Sequence, residues 1–204
     1  MKVQKSKPLK IFKNEMGQAN HMLITTLIGL DGIIPYNVEK NQDFDAAWNP
    51  KDKSQSIERS KSFVKKSALS WLVDNIDMYF RLINQNPSII CDEEFKKRID
   101  SGDISRSVYK RLNELCSFLD ISSIEYALVD LLICWRNRLV HFQAENDIQE
   151  FNKKKLSENI EQIDNQFCHL NIERTFESFE NKHTPTFKEV ASFVKASLDL
   201  IYEI

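Results

Sequence analysis

The feature that most constrains the fold is a long stretch of helical periodicity over residues 54–85. Apolar side chains recur there every three or four residues, the spacing that places them on one face of an α-helix. Pro87 follows the pattern and marks its end, because proline disrupts helical hydrogen bonding. The stripe consists of Ile57, Val64, Ala68, Trp71, Leu72, Ile76, Tyr79 and Ile83. We expect Trp71, and likewise Trp135 farther along the chain, to lie in the core rather than to serve as base-stacking platforms.

The same periodicity predicts further helices, and no segment has the alternating pattern of a strand. Ser122 and Glu125 form a predicted capping box for a helix that runs to about Glu145. Thr186 and Glu189 form a second one for the last helix. The remaining predicted helices cover residues 15–30, 93–99, 108–119 and about 157–168.

Scarce turn residues agree with a helical fold. The 204 residues include 4 glycines and 5 prolines, which disfavours an all-β sandwich with its many tight turns. The sequence therefore predicts an all-α protein, an up-and-down helical bundle with additional N- and C-terminal helices. Residues 1–13 are predicted to form a basic, mobile arm and residues 14–204 a single helical domain. Its bundle core is expected at about 54–145 and its C-terminal helices at about 155–204.

Charge and hydropathy exclude several classes of protein. Charged residues make up 28% of the chain with a net charge of −2, so any basic surface for a nucleic acid must be local. No apolar segment approaches the ~20 residues of a membrane span, and no signal-peptide pattern follows the basic N-terminus. We expect a cytoplasmic protein without a membrane partner. The four cysteines lack the close spacing of a zinc or redox motif, and neither a metal nor another cofactor is predicted.

The helix over residues 126–142 carries the residues with chemical potential. Apolar side chains cover most of its circumference, while Asp130, Asn137 and His141 share the remaining polar strip. Arg136 falls between apolar positions. Because a guanidinium buried without a partner is costly, the fold must supply a compensating group for it.

Arg136-Asn137-x-x-x-His141 resembles the signature of the HEPN superfamily: an arginine, a polar residue directly after it, and a histidine after four to six intervening residues. In that family the motif lies on a late helix of a four- or five-helix bundle, which matches its position here. The resemblance covers residues 54–145 loosely. It implies a dimeric, metal-independent endoribonuclease, and such proteins are often toxins or antiviral defence effectors.

The resemblance also implies a role for each of the three residues. His141 would transfer protons, because an imidazole titrates near neutral pH. Arg136 would bind the scissile phosphate through two N–H groups, and Asn137 would orient the histidine or hold an oxygen of the substrate. Attack by the RNA 2′-hydroxyl would give a 2′,3′-cyclic phosphate and a 5′-hydroxyl.

Helix geometry favours a site shared between two chains. Asn137 and His141 are four residues apart and hence neighbours. Arg136 and His141 are five apart, about 140° around the helix, so they do not converge unaided. Our hypothesis is a homodimer through the motif helix in which each arginine approaches the other chain's site. No nucleotidyltransferase signature or glycine-rich phosphate loop occurs, so an antitoxin or sensor is predicted to be a separate protein.

Structural explanations of the same residues stay open. His141 could satisfy carbonyls at the end of its helix, and Arg136 could form a salt bridge with Asp130 or with an acid on another helix. Asp130 could orient His141 or be structural. Arg138 could share phosphate binding or face solvent.

Two clusters of basic residues are candidates for contacting the RNA backbone, although solvated helix faces are the default explanation for them. They are Lys61, Lys65 and Lys66, and Arg106, Lys110 and Arg111. The alternative function is a non-catalytic HEPN-like helical module that binds a partner protein or a nucleotide.

Overall fold

The structure, a computed structural model, describes residues 7–32, 51–85, 90, 92–140 and 147–204. Within these ranges the chain forms nine α-helices and no strand, which confirms the predicted all-α class. They are α1 Lys7–Asp31, α2 Lys53–Asn84, α3 Glu93–Ile99, α4 Val108–Phe118, α5 Ile124–Val140, α6 Glu150–Glu158, α7 Ile160–Gln166, α8 Ile172–Glu180 and α9 Phe187–Glu203. None of these helices is long and apolar enough to cross a membrane.

Helix α5 is the centre of the bundle. Every residue from Tyr126 to Trp135 is buried, and α2, α4, α6 and α9 all pack against this helix. The indole N–H of Trp135 donates to the carbonyl oxygen of His183 at 3.0 Å. The one polar atom of this side chain is therefore satisfied, and the ring can be buried completely without a desolvation cost. Trp135 lies in the core, as predicted.

Local capping signals explain where several helices begin. The predicted capping box at α9 is confirmed: Thr186 Oγ1 accepts from the Glu189 N–H at 3.3 Å, and the Glu189 carboxylate accepts from the Thr186 N–H at 2.5 Å. The box predicted at α5 is wrong, because the capping hydroxyl belongs to Ser123 and not to Ser122. The Ser123 hydroxyl accepts from the Tyr126 N–H at 3.2 Å, and α5 begins at the next residue, Ile124.

Helix α1 begins at Lys7, within the predicted basic arm. The prediction of a mobile arm is wrong for this part of the chain, because Leu9 and Phe12 are buried against the bundle. The ring of Phe12 lies 5.5 Å from that of Tyr79 on α2. Apolar side chains three residues apart thus extend the helical face among the lysines. Residues 1–6 of the predicted arm lie outside the described residues.

The C-terminal region contains more helices than predicted. The helix expected near 157–168 is present as α7, Ile160–Gln166, but it is shorter than predicted, and α6, Glu150–Glu158, had not been predicted. Helix α8 had not been predicted, and it buries Ile172, Thr175 and Phe179. The edge of the Trp135 ring packs against Phe179, so α8 contributes to the core around the central helix.

Candidate functional site

The motif lies where α5 leaves the core. Residues 126–135 are buried, Arg136 and Asn137 are partly exposed, and 46% of Val140 at the end of the helix is exposed. The buried turns fix the position and rotation of the helix, so its last turn presents polar groups from a rigid support. Arg136 and Asn137 consequently lie at the edge of the bundle, within reach of a solvent-borne ligand.

The guanidinium of Arg136 is held from two sides. Its Nη1 donates to Asn137 Oδ1 at 3.1 Å, and its Nη2 donates to Asp74 Oδ1 on α2 at 3.4 Å. This is the salt bridge to another helix that the sequence left open. The Arg136 side chain is 18% exposed and that of Asp74 is 70% exposed. Because the Asp74 carboxylate is mostly exposed, water screens the pair and its contribution to stability is at most about 1 kcal/mol.

His141 belongs to residues 141–146, which lie outside the described residues. Its proximity to Asn137 and its place relative to Arg136 therefore stay predictions, and so does the site shared by two chains. The same applies to the predicted end of its helix near Glu145. The described residues on either side are Val140, the end of α5, and Asp147, shortly before α6.

Arg138, near the end of α5, contacts two acids that come after residues 141–146 in the chain. One Nη atom lies 3.3 Å from Asp147 Oδ1 and the other 3.3 Å from Glu180 Oε2. The guanidinium also lies 3.9 Å from the centre of the Phe179 ring, a cation–π contact. Since only 11% of the side chain is exposed, the expectation of a solvent-facing arginine is wrong. Its carboxylate partners also leave it poorly suited to bind phosphate.

Asp130 is completely buried and is bound to the start of α6. Its Oδ2 accepts from the backbone N–H of Gln149 at 3.1 Å and from Asn152 Nδ2 at 2.8 Å. The thiol of Cys134 lies 3.8 Å from the other oxygen. Burial raises the pKa of Asp130 above its ordinary value, although these hydrogen bonds oppose the rise. These contacts give Asp130 the structural role that the sequence had left open, and its predicted support of His141 stays a prediction.

The first basic cluster, Lys61, Lys65 and Lys66, is only partly exposed. Lys61 Nζ lies 2.5 Å from Asp31 and 3.0 Å from Glu58, so two carboxylates already neutralise its charge. An RNA phosphate would have to compete with both of them. Lys61 is therefore the weakest of these three candidates for a backbone contact.

The second basic cluster contains one buried member. Arg111 is 3% exposed and donates to Asp77, to the Ser105 carbonyl and, at 3.1 Å, to the Ile104 carbonyl. A buried guanidinium whose two Nη atoms already have partners cannot contact an RNA backbone, so that prediction is wrong for Arg111. Arg106 and Lys110 are exposed, and Lys110 lies 3.4 Å from Asp103.

The structure adds Asp74 and Phe63, which the sequence did not single out, and it contradicts the predicted burial of Trp71. Asp74 carried no signal, since an exposed acid on a long helix is ordinary until its contact with Arg136 is known. Trp71, predicted to be core, is 43% exposed, and Phe63 is 71% exposed. Trp71 stands at the margin of the apolar stripe of α2, where periodicity alone does not decide which side of the boundary a ring takes.

Neither the side chains of the site nor comparisons with known proteins assign it to an established class of functional site. Among the described residues no three His, Cys, Asp or Glu side chains are grouped so that they could hold a metal ion. Comparisons with protein families, with curated proteins and with solved structures find no match to this chain.

Proposed function

We propose that this protein is a metal-independent endoribonuclease of the HEPN type. The observation that carries the proposal is the Arg136–Asn137 pair at the partly exposed end of an otherwise buried helix. The fork of Arg136 is oriented there by Asn137 and Asp74, and 18% of the side chain is exposed. The arrangement of Arg136 and Asn137 supports the resemblance to the HEPN motif, whose histidine corresponds to His141, five residues after Arg136 in the sequence.

The proposed reaction needs no group beyond these side chains and the RNA itself. His141 takes the proton of the 2′-hydroxyl, whose oxygen attacks the adjacent phosphorus. The bond from phosphorus to the 5′-oxygen breaks, and a protonated imidazole supplies the proton that this oxygen takes up. Arg136 stabilises the added negative charge on the phosphoryl oxygens. The products are a 2′,3′-cyclic phosphate and a 5′-hydroxyl.

The biological setting of the proposal is a toxin or antiviral defence effector in the cytoplasm. The active form is a homodimer through the partly exposed end of α5, from Arg136 to Val140. The proposal follows from the spacing of Arg136 and His141 in the sequence, since residues five apart on a helix are separated by about 140°. A separate antitoxin or sensor protein controls it. A protein that cleaves RNA fully as a monomer at micromolar concentration would contradict the shared site.

The decisive experiment measures RNA cleavage in EDTA by the wild type, His141→Ala and Arg136→Ala. His169→Ala is a matched control, because the His169 side chain is 75% exposed and lies outside the motif. We expect cyclic-phosphate ends from the wild type and the control, and at least about a 100-fold loss from either motif variant.

Equal cleavage by the wild type and His141→Ala would overturn the proposal, as would a requirement for metal. If the wild type binds RNA through Arg136 and never cleaves it, the non-catalytic HEPN-like module is the better description.

A further inference from the structure

Two aromatic side chains of α2 lie on the surface rather than in the core. Phe63 is 71% exposed and Trp71 is 43% exposed. Large aromatic side chains gain free energy on burial, so two of them exposed on one helix are candidates for contact with another molecule.

The two rings belong to a face of α2 that leads to the motif. At 100° per residue, Phe63, Trp71 and Asp74 fall within roughly 80° of one another. The rings are eight residues apart, about 12 Å along the helix axis. Asp74, three residues beyond Trp71, lies 3.4 Å from Arg136 Nη2. A ligand that covers this face is thereby led to the guanidinium of Arg136.

Basic side chains border the same face. Arg59 is exposed one turn before Phe63, and Lys66 is partly exposed one turn after it. We call Arg59, Phe63, Lys66 and Trp71 the α2 outer face. Cations interspersed with aromatic rings suit a polymer in which phosphates alternate with planar bases.

We propose that the α2 outer face binds single-stranded RNA and directs the strand to Arg136. Phe63 and Trp71 stack on bases, and Arg59 and Lys66 contact phosphates. Because the two residues are about 12 Å apart along the helix axis, the rings contact different bases of the same strand. Duplex RNA does not fit, because its bases are stacked on each other and unavailable to protein rings. The inference rests on the proposed function for the choice of RNA as the ligand.

A second copy of this chain is a poorer occupant of the α2 outer face. In a two-fold symmetric contact the same patch meets itself. Arg59 and Lys66 of both chains would then share one interface, where like charges repel. A polyanion instead neutralises both residues.

The test measures binding without cleavage. A short fluorescein-labelled 2′-O-methyl RNA has no free 2′-hydroxyl and cannot be cut by the proposed reaction. Its affinity is measured by fluorescence anisotropy for the wild type, Phe63→Ala, Trp71→Ala and Trp71→Phe. Phe187→Ala is the matched control, since Phe187 is 42% exposed at the start of α9, on another helix.

Each alanine variant should weaken binding by about 5- to 150-fold, the range seen when a base-stacking ring is removed. Trp71→Phe should recover much of the affinity, and Phe187→Ala should bind as the wild type does. The same strand in a duplex should bind more weakly. Since both rings are exposed, thermal melts should show that the variants remain folded.

Unchanged affinity of both alanine variants would overturn the inference, as would equally tight binding of the duplex. A shift of sedimentation from dimer to monomer in the variants would overturn it in favour of a self-association surface. Should the wild type bind the probe through these rings yet cleave no RNA, the inference stands and the proposed function fails. Should the alanine variants bind and cleave RNA as the wild type does, the inference fails and the proposed function stands.

Discussion

Arg111 and Arg136 are two arginines that pair with acids on the same helix but serve different purposes. Their partners, Asp77 and Asp74, stand three residues apart on α2. Arg111 is 3% exposed and also donates to two backbone carbonyls, whereas Arg136 is 18% exposed, with a 70% exposed partner.

Desolvation makes the difference between the two pairs. Removing one member of a buried pair leaves a charge without water or a counter-ion, so such a pair holds the fold together. An exposed pair can exchange its carboxylate for another anion at little cost. Burial around the guanidinium therefore distinguishes a structural arginine from one that is available to a substrate.

The largest expected effect is on stability. Arg111→Ala should lower the free energy of unfolding by about 3 kcal/mol, because a buried ion pair is broken, the Ile104 carbonyl loses its donor, and Asp77 and the Ser105 carbonyl keep only Arg81. Urea unfolding followed by circular dichroism measures the change. Arg106→Ala, an exposed neighbour in sequence, is the control and should stay within about 0.5 kcal/mol of the wild type. Equal effects from both variants would contradict the structural role of Arg111.

The next effect is on catalysis. Arg136→Lys keeps the charge but loses the planar fork, so kcat/KM for RNA should fall about 100-fold, near 2.7 kcal/mol. Stability should change by less than about 1 kcal/mol, because the Asp74 pair is exposed. Initial rates and an unfolding curve together make the measurement. A variant that loses stability while keeping its rate would place Arg136 in the same class as Arg111.

A third prediction concerns the buried acid of α5. Asp130→Ala should cost about 1–3 kcal/mol of stability, because the Gln149 N–H and the Asn152 amide lose a buried acceptor. Asp130→Asn should be far milder. One amide oxygen in the place of Oδ2 can accept both hydrogen bonds, and urea unfolding of the two variants tests this.

The pH dependence of Asp130 follows from the direction of its pKa shift. Burial raises the pKa in the folded protein above the ordinary 3.8, so the folded state binds the proton more tightly than the unfolded chain does. Its stabilising contribution is fully present below pH 3.8 and is lost as the pH rises through the folded pKa. Over this window the stability of the wild type should therefore fall relative to that of the Asp130→Asn variant, whose amide does not titrate. A difference that is independent of pH would contradict the shift.

The smallest expected effect is a gain in affinity for RNA. Under the proposed function the Asp74 carboxylate would compete with RNA phosphate for Arg136, so Asp74→Asn should raise the affinity for an uncleavable RNA by up to about fivefold. Anisotropy titrations at low salt measure it. Asp103→Asn is the matched control, an exposed acid beside Lys110 and away from the motif. If Asp74→Asn bound RNA more weakly, Asp74 would be positioning Arg136 instead of shielding it.

The sequence alone predicted those helix ends whose signals lie in residues that are neighbours along the chain. The ends of α2 and the Thr186 cap follow from residues that are neighbours along the chain. The start of α1 was missed because lysines surround Leu9 and Phe12 and hide their apolar spacing. The C-terminal helices were missed in part because α6 and α7 are short and divided only by Asn159.

The sequence singled out the residues of the candidate site but could not predict what surrounds them. The positions of Arg136 and Asn137 at the edge of the bundle agree with a motif near a helix end. The Asp74 pair, the burial of Arg111 and the exposure of Trp71 depend on how distant helices pack. Residue spacing within one helix carries no information about such contacts.

The contacts that Asp130 and Arg138 of α5 make with residues 147–152 have an evolutionary consequence. These two residues tie α5 to Asp147 and to the first turn of α6, on the far side of residues 141–146. None of these bonds involves a side chain of residues 141–146, so substitutions in that segment leave their donors and acceptors unchanged. The sequence around His141 is thus free to diverge under selection while the contacts that join α5 to α6 are inherited.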